Sequence, residues 1–329
     1  MSDEEFKVDS RLRRLRASEE VRALVRETRI HASNLVAPIF VREGTGVVEP
    51  IGPLPGINRY SVDTVSDHVA RLSAAGVQSV LLFGLPQTKD ELGSAGYSPD
   101  GVVPRAIREI KRHHPKTIVM ADVCLCEYTS HGHCGVIKNG AVDNDATLPL
   151  LAREAVEYAK AGADVVGPSA MMDGQVGAVR NALDAHGFDD KIIMSYSAKF
   201  ASSFYGPFRE AAGSAPAFGN RRGYQMDPAN GMEAMREIES DLKEGADIVM
   251  IKPALAYLDL IAKARARFDV TIAAYSVGGE YSMVKAAAKN GWLDETAAAY
   301  EILIAIKRAG ANVIITYFAE QMAKQLDRP

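Results

Sequence analysis

Cysteine is scarce in this 329-residue chain: there are three, with a single tryptophan and a net charge of only −4. So few thiols exclude a disulfide scaffold and fit a reducing compartment, so a cytoplasmic location is expected. The near balance of 38 basic and 42 acidic residues excludes a general nucleic-acid or membrane-surface binder, which would carry a basic excess. No apolar run approaches the roughly 18 uncharged residues of a membrane span. The opening stretch, Met1 to Arg16, lacks the apolar core of a secretory signal. No G-x-G-x-x-G follows the first apolar run, which removes the usual dinucleotide fingerprint. The reading left is a globular protein long enough to bury its own core. One compositional oddity survives: Cys124, Cys126 and Cys134 all fall in one short segment.

Residues 1–34 stand apart from the rest. Arg11, Arg13, Arg14 and Arg16 lead into a charged stretch, Glu19 to Arg29, that reads as a helix with Val21, Leu24 and Val25 on one side. It precedes the first strand and reads as an arm outside the core, either packed on a neighbouring subunit or a frayed terminus. From Leu35 onward apolar runs of strand length recur at 35–41, 79–83, 117–122, 165–168, 192–196, 248–252, 271–275 and 312–317. Several are continuously hydrophobic, as strands buried on both faces must be. Helical patterns at 62–75, 104–113, 149–161, 176–185, 232–244, 257–267, 281–289 and 295–308 separate them. About eight strand–helix units predict an α/β fold, a (β/α)8 barrel over residues 35–329 behind the arm. In such a barrel chemistry belongs at the C-terminal ends of the strands.

The candidate residues obey that rule. Asp122 closes the third strand, and the thiols follow it at C-x-C-x7-C spacing on a loop rich in glycine. Three thiols can converge on one soft ion, zinc above all. Three ligands describe a catalytic zinc, whereas His131 or His133 as a fourth would make it structural. Lys199 and Lys252 sit at two further strand ends. A partly desolvated lysine beside a second one loses its proton near neutrality and can attack a ketone. Between Lys199 and Met232 runs a segment without period, rich in aromatics and carrying Arg209, Arg221 and Arg222. It reads as a lid over an anionic small substrate. Ser169 and Tyr317 end the fourth and eighth strands on the same rim.

The stretches Asp122 to Gly135, Ser195 to Glu210 and Met250 to Pro253 resemble the porphobilinogen synthase (5-aminolevulinate dehydratase) family, zinc-dependent type. The likeness runs in order from Ser33 to Tyr317. It implies a barrel whose arm wraps a neighbour in a homo-octamer, and condensation of two 5-aminolevulinate molecules to porphobilinogen for tetrapyrrole (heme) synthesis. It implies that Lys252 forms a Schiff base with the first-bound substrate and that Lys199 serves the second. It also implies that the three cysteines hold zinc, that Arg209, Arg221 and Gln225 grip one carboxylate and Tyr317 the other, and that Asp122, Ser169 and Tyr205 line the pocket. Glu237 matches an allosteric magnesium ligand of some relatives. Three positions depart from the pattern: Ala170 and Gln175 replace an aspartate and an arginine, and Gly278 replaces a serine expected on the first carboxylate. Two rivals are a class I aldolase-like Schiff-base enzyme, with one lysine and no thiol metal, and an inactive zinc-stabilised barrel.

Overall fold

A computed structural model describes residues 10–326. Eight parallel strands form the central sheet: β1 (Leu35–Arg42), β2 (Ser79–Leu85), β3 (Ile118–Val123), β4 (Val165–Pro168), β5 (Ile192–Lys199), β6 (Ile248–Lys252), β7 (Thr271–Ser276) and β8 (Val313–Thr316). They pair in sequence order, and β8 returns to β1 through Leu35 opposite Ile314, so the sheet closes. The expected eight-stranded barrel is therefore the observed one. Its strands are buried almost throughout because helices cover the outer face and side chains fill the lumen.

The outer layer is α1 (Val62–Ala75), α2 (Val102–His113), α3 (Asn144–Ala161), α4 (Gln175–Ala185), α5 (Gly231–Glu244), α6 (Leu258–Arg267), α7 (Gly278–Lys289) and α8 (Glu295–Ala309). Gly76 (φ 103°) and Gly162 (φ 107°) end α1 and α3 in the left-handed region, which a Cβ disfavours. α3 starts five residues before the pattern from Pro149 onward, because the Asp143 carboxylate accepts from the Ala146 N–H at 2.8 Å and caps an earlier turn. Two short pieces lacked any periodic signal: a strand pair, Val48–Pro50 with Asn58–Ser61, that extends the rim beside β1, and a hairpin at 137–142.

Three differences bear on the site. The arm helix spans only Glu19–Leu24 and not as far as Arg29; it leaves Leu24 80% and Val25 42% exposed in the single chain. Residues 1–9 of the arm lie outside the described part. The segment after Lys199 is not structureless: a 3-10 turn (Ser203–Tyr205) runs into a helix (Gly206–Ala211). The third difference is in β5, where the register against β6 slips by one residue between the Ser195–Val249 and Ala198–Ile251 pairs. Such a bulge re-aims the residues beyond it. Lys199 then lies level with Lys252.

Candidate active site

The C-terminal rim of the barrel gathers Asp122 (β3), Cys126 and Glu127 (the β3 loop), Ser169 (after β4), Lys199 (β5), Lys252 (β6) and, from the lid, Tyr205, Phe208, Arg209 and Arg221 around one narrow pocket. Its free volume is about 10 Å³, room for about one water, so the lid stands closed. The lid is seated by Arg59, whose Nε donates to the Ala211 carbonyl at 2.8 Å, and by Phe208, whose ring meets Phe83 edge-on at 5.0 Å. Tyr205 Oη donates to the Lys252 carbonyl at 3.0 Å, and the Ala217 N–H donates to the His131 carbonyl at 2.9 Å.

The two lysines are register partners on adjacent parallel strands and emerge on the same side. Both amines lie beside the Tyr196 ring, Lys252 Nζ at 5.0 Å and Lys199 Nζ at 5.4 Å from its centroid. Lys252 is otherwise walled by aromatic faces: Tyr275 at 4.3 Å, Phe208 at 4.9 Å, Tyr205 at 5.5 Å and Phe83 at 6.0 Å. Burial, and next the charge of Lys199, bring its pKa down to about 7. Lys199 donates to the Ser169 carbonyl at 2.6 Å. Burial disfavours its ammonium, but the nearby thiolates, Cys134 first, outweigh burial and hold it protonated. One amine thus gives up its proton around pH 7, while the other keeps it. Asp122 accepts from Ser169 Oγ at 3.0 Å, and burial raises its pKa against the pull of both lysines.

Cys124, Cys126 and Cys134 are reduced and buried, with all three sulfurs within 4.8 Å of one another. Cys124 Sγ lies 3.4 Å from Cys126 Sγ. Burial raises the Cys124 thiol, while hydrogen bonds from Cys124 and Cys126 favour Cys134 as thiolate. A three-sulfur set converging on one point fits a thiophilic metal. Neither histidine joins it. His133 is held between Tyr224 Oη (3.1 Å) and the Phe218 carbonyl (3.0 Å), and His131 Nε2 meets the Glu91 carbonyl at 3.1 Å.

The loop is set by Tyr128, whose hydroxyl meets Tyr158 Oη at 3.0 Å, and Tyr158 donates to Glu154 at 2.7 Å. Gly84 makes room for that ring, since a Cβ there would sit 2.3 Å from Tyr128 Oη and 2.7 Å from Val103 Cγ2. Gly84→Ala is expected to cost about 2 kcal/mol of stability by overpacking, read as a fall in the urea midpoint.

Arg209 and Arg221 make no ion pair among the described residues, and each keeps a buried Nε without a partner. Arg221 Nη2 donates to the Gly132 carbonyl at 2.8 Å and to the Ser214 carbonyl. Two oriented guanidinium groups lacking a carboxylate are a receptor for one.

Other expected residues stand outside this pocket. Gln225 is buried with both amide atoms unpartnered, but it lines a separate groove with Asp173, Glu233 and Glu237. Glu237 is held up to about 7 by burial and then by Asp241. Tyr317 lies one ring behind the cage, its hydroxyl 3.4 Å from Tyr275 Oη. Gly278 is buried under the lid; a Cβ there would meet Pro207 Cβ at 3.1 Å and Leu54 Cδ2 at 3.2 Å. Ala170 is fully buried, and the Gln175 amide closes its own turn on the Pro168 carbonyl and the Met172 N–H, both at 3.4 Å. Ala170→Asp alone is expected to lose about 3–5 kcal/mol by burying an unpaired charge, with Gln175→Arg restoring most of it in equilibrium unfolding.

Glu127 and Glu154 escaped the sequence reading. A glutamate on a polar loop, as Glu127 is, or within a helix, as Glu154 is, ordinarily signals exposure, whereas here both are buried.

The family model for delta-aminolevulinic acid dehydratase matches residues 9–325. The delta-aminolevulinic acid dehydratase of Methanothermobacter thermautotrophicus is 56% identical over 324 residues, covering 98% of this chain and 99% of the relative. That of Bacillus subtilis is 52% identical over 317 residues, covering 96% and 98%. The Toxoplasma gondii enzyme, solved in complex with its reaction product porphobilinogen, superposes with a TM-score of 0.94 at 42% identity, over 97% of this chain and 92% of that one. A closed barrel with two lysines, three thiols and free guanidinium groups at one rim thus agrees with matches that run the length of the chain: it belongs to the delta-aminolevulinic acid dehydratase family.

Proposed function

We propose that the rim pocket condenses two molecules of 5-aminolevulinate to porphobilinogen with loss of two waters, for tetrapyrrole synthesis. The observation that carries the reading is the pairing of a caged, neutral-leaning amine on Lys252 with a second amine, Lys199, level with it on the next strand. Two ketones need two amines, and Lys199, protonated at rest, gives up its proton before it serves the second. Lys252 Nζ attacks the ketone of the first substrate, and the resulting imine makes the neighbouring carbon acidic. The aromatic wall keeps water from hydrolysing that imine once the lid closes. Lys199 serves the second ketone, and Asp122, bridged to Ser169, takes or returns a proton beside both amines.

Cys124, Cys126 and Cys134 would hold zinc, which supplies Lewis-acid polarisation of the second substrate. Arg209 and Arg221 receive a carboxylate, which accounts for their unpartnered Nε atoms. Gln225, Tyr317 and the backbone at Gly278 are assigned to carboxylate positioning, reached when the lid rearranges around substrate. Glu237, with Asp173 and Glu233 beside it, is assigned to an allosteric magnesium. The exposed Leu24 and Val25 support an arm that packs on a neighbour, within a homo-octamer. No helix among the described residues is long and apolar enough to cross a membrane; a cytoplasmic enzyme is proposed.

The rival aldolase-like reading leaves Lys199 and the three thiols without a task. Incubation of the zinc-loaded protein with 5-aminolevulinate alone is expected to yield a pyrrole that gives a coloured adduct with an aromatic aldehyde. No pyrrole with zinc present would overturn the proposal.

A further inference from the structure

Asp241, on the last turn of α5, is a buried carboxylate that the chemistry above does not use. It stands behind β5, on the helix side of the barrel wall. Its Oδ2 accepts from Ser195 Oγ at 2.6 Å, and Ser197 hydrogen-bonds to the same carboxylate. The Ser197 hydroxyl also lies 3.5 Å from the Ser195 carbonyl, so one short stretch of strand is tied to one helix. Burial pushes the Asp241 carboxyl up to about 6 against the pull of the two serines. Taking such a group out of water is costly, and a well-packed apolar cluster commonly does as well. Stability alone therefore does not account for it.

The stretch that Asp241 ties is the slip between β5 and β6. Below it, the Ile193 N–H donates to Asp247 Oδ2 at 2.8 Å, and the Asp247 N–H donates to the Ile193 carbonyl at 3.0 Å. Above it, the Phe200 N–H donates to the Lys252 carbonyl at 3.0 Å, and Lys199 is level with Lys252. Between these anchors β5 runs from Ser195 to Ala198 while β6 runs only from Val249 to Ile251. One residue of β5 is left over. The Tyr196 ring turns to the pocket, beside both amines, whereas Ser195 and Ser197 reach back to the helix. With Ser197 held outward, the slack is taken up between it and Ala198, and Lys199 turns to the pocket.

We infer that Asp241 is a positioning residue for Lys199: by holding Ser195 and Ser197 against α5 it fixes the bulge of β5, and through it the aim of the second amine. It touches neither substrate nor amine and acts only through the strand. The inference rests on the two-amine reading proposed above. Lys252 lies on the strand without the extra residue, and four of the rings around it come from other elements, so its reactivity is not tied to the bulge.

The test uses the zinc-loaded full chain. Asp241→Leu combined with Ser195→Ala and Ser197→Ala replaces the whole polar cluster by apolar groups. No buried charge is left unpaired, so the urea midpoint is expected to hold. Pyrrole formation at saturating 5-aminolevulinate is expected to fall about 10- to 100-fold, the scale of a roughly 1 Å misplacement. Borohydride trapping of substrate on Lys252 is expected to stay within about twofold of the parent's. Asp241→Asn, whose carbonyl oxygen still accepts from Ser195, is expected to recover most of the turnover, and Asp241→Ala is not. Ser197→Ala alone, which removes a single hydroxyl, is expected to show the same split between turnover and trapping on a smaller scale. A merely structural role would lower both together with the urea midpoint. Turnover equal to the parent's in the triple variant and in Ser197→Ala, or turnover and Lys252 trapping lost in parallel, would overturn the inference while leaving the two-amine reading standing. If the parent chain traps substrate on Lys252 yet forms no pyrrole, the two-amine reading fails and this inference with it.

Discussion

Lys252→Met is expected to lower kcat/KM for 5-aminolevulinate by about 10⁴-fold or more and to abolish borohydride-trapped label at that position. The loss is large because no neighbouring group can replace the amine. The cage that surrounds Lys252 Nζ is made of five rings, and Lys199, the other amine, is kept charged by the thiolates. A pH profile gives a second readout. The folded pKa of Lys252 is depressed to about 7, so the reactive free base is present above that pH and is lost as pH falls through it. The acid limb of kcat/KM is therefore expected near pH 7, well below the ordinary lysine range. Stability follows the same sign. Between about 7 and the ordinary value of 10.5 the unfolded chain holds the extra proton, so this group makes folding more favourable as pH rises through that window. Label appearing on Lys199 with undiminished turnover in Lys252→Met would reverse the assignment of the two amines.

Cys134→Ser is expected to remove stoichiometric zinc and roughly 10³-fold of activity, the scale of a lost Lewis acid, while leaving Lys252 open to trapping by substrate and borohydride. Cys134 is the hinge of the set because it comes from the far side of the loop, eight positions after Cys126, and is the sulfur most inclined to ionise. Arg221 and Lys199 both face its charge; burial opposes each cation, and Cys134 leads the anions that outweigh it. Removing the sulfur thus disturbs a guanidinium and an amine as well as the metal. A chelator should reproduce the activity loss reversibly in the parent chain. Full activity in zinc-free Cys134→Ser protein, measured by pyrrole formation, would exclude a metal role in the chemistry.

The barrel was legible in the sequence because its strands are buried on both faces. Runs such as Ile248 to Ile251 have no polar alternation to confuse them with surface strands. The thiol loop and the lysines were legible because strand ends are marked by where such runs stop. The lid helix Gly206–Ala211 was not: six residues are too few for a period, and it is held by tertiary contacts such as Arg59 on Ala211. The arm helix was read too long because charged residues satisfy a helical pattern whether or not a face is buried. Glu127 was hidden for a different reason. Its burial is produced by Tyr128 folding back onto α3, a contact across 30 positions that no local pattern carries. Gln175, where the resemblance leads to expect an arginine, closes its own turn in the structure.

The slip between β5 and β6 has a consequence that lies in parity. Side chains on a strand alternate with period two, so positions an even number of steps apart share a face. Ser195 and Val249 are partners; Lys199 lies four steps beyond the first, Lys252 three beyond the second. In an unbroken ladder an even and an odd count would send the two amines to opposite sides, one into the lumen and one toward the helices. The bulge absorbs the one extra residue of β5 and so turns the mismatch into agreement. The two-amine site is thus an arithmetic property of strand lengths as much as of the lysines themselves. Ironing out the bulge at constant length, so that Ala198 instead of Lys199 met Lys252, would keep every chemical group and still turn the two amines to opposite sides.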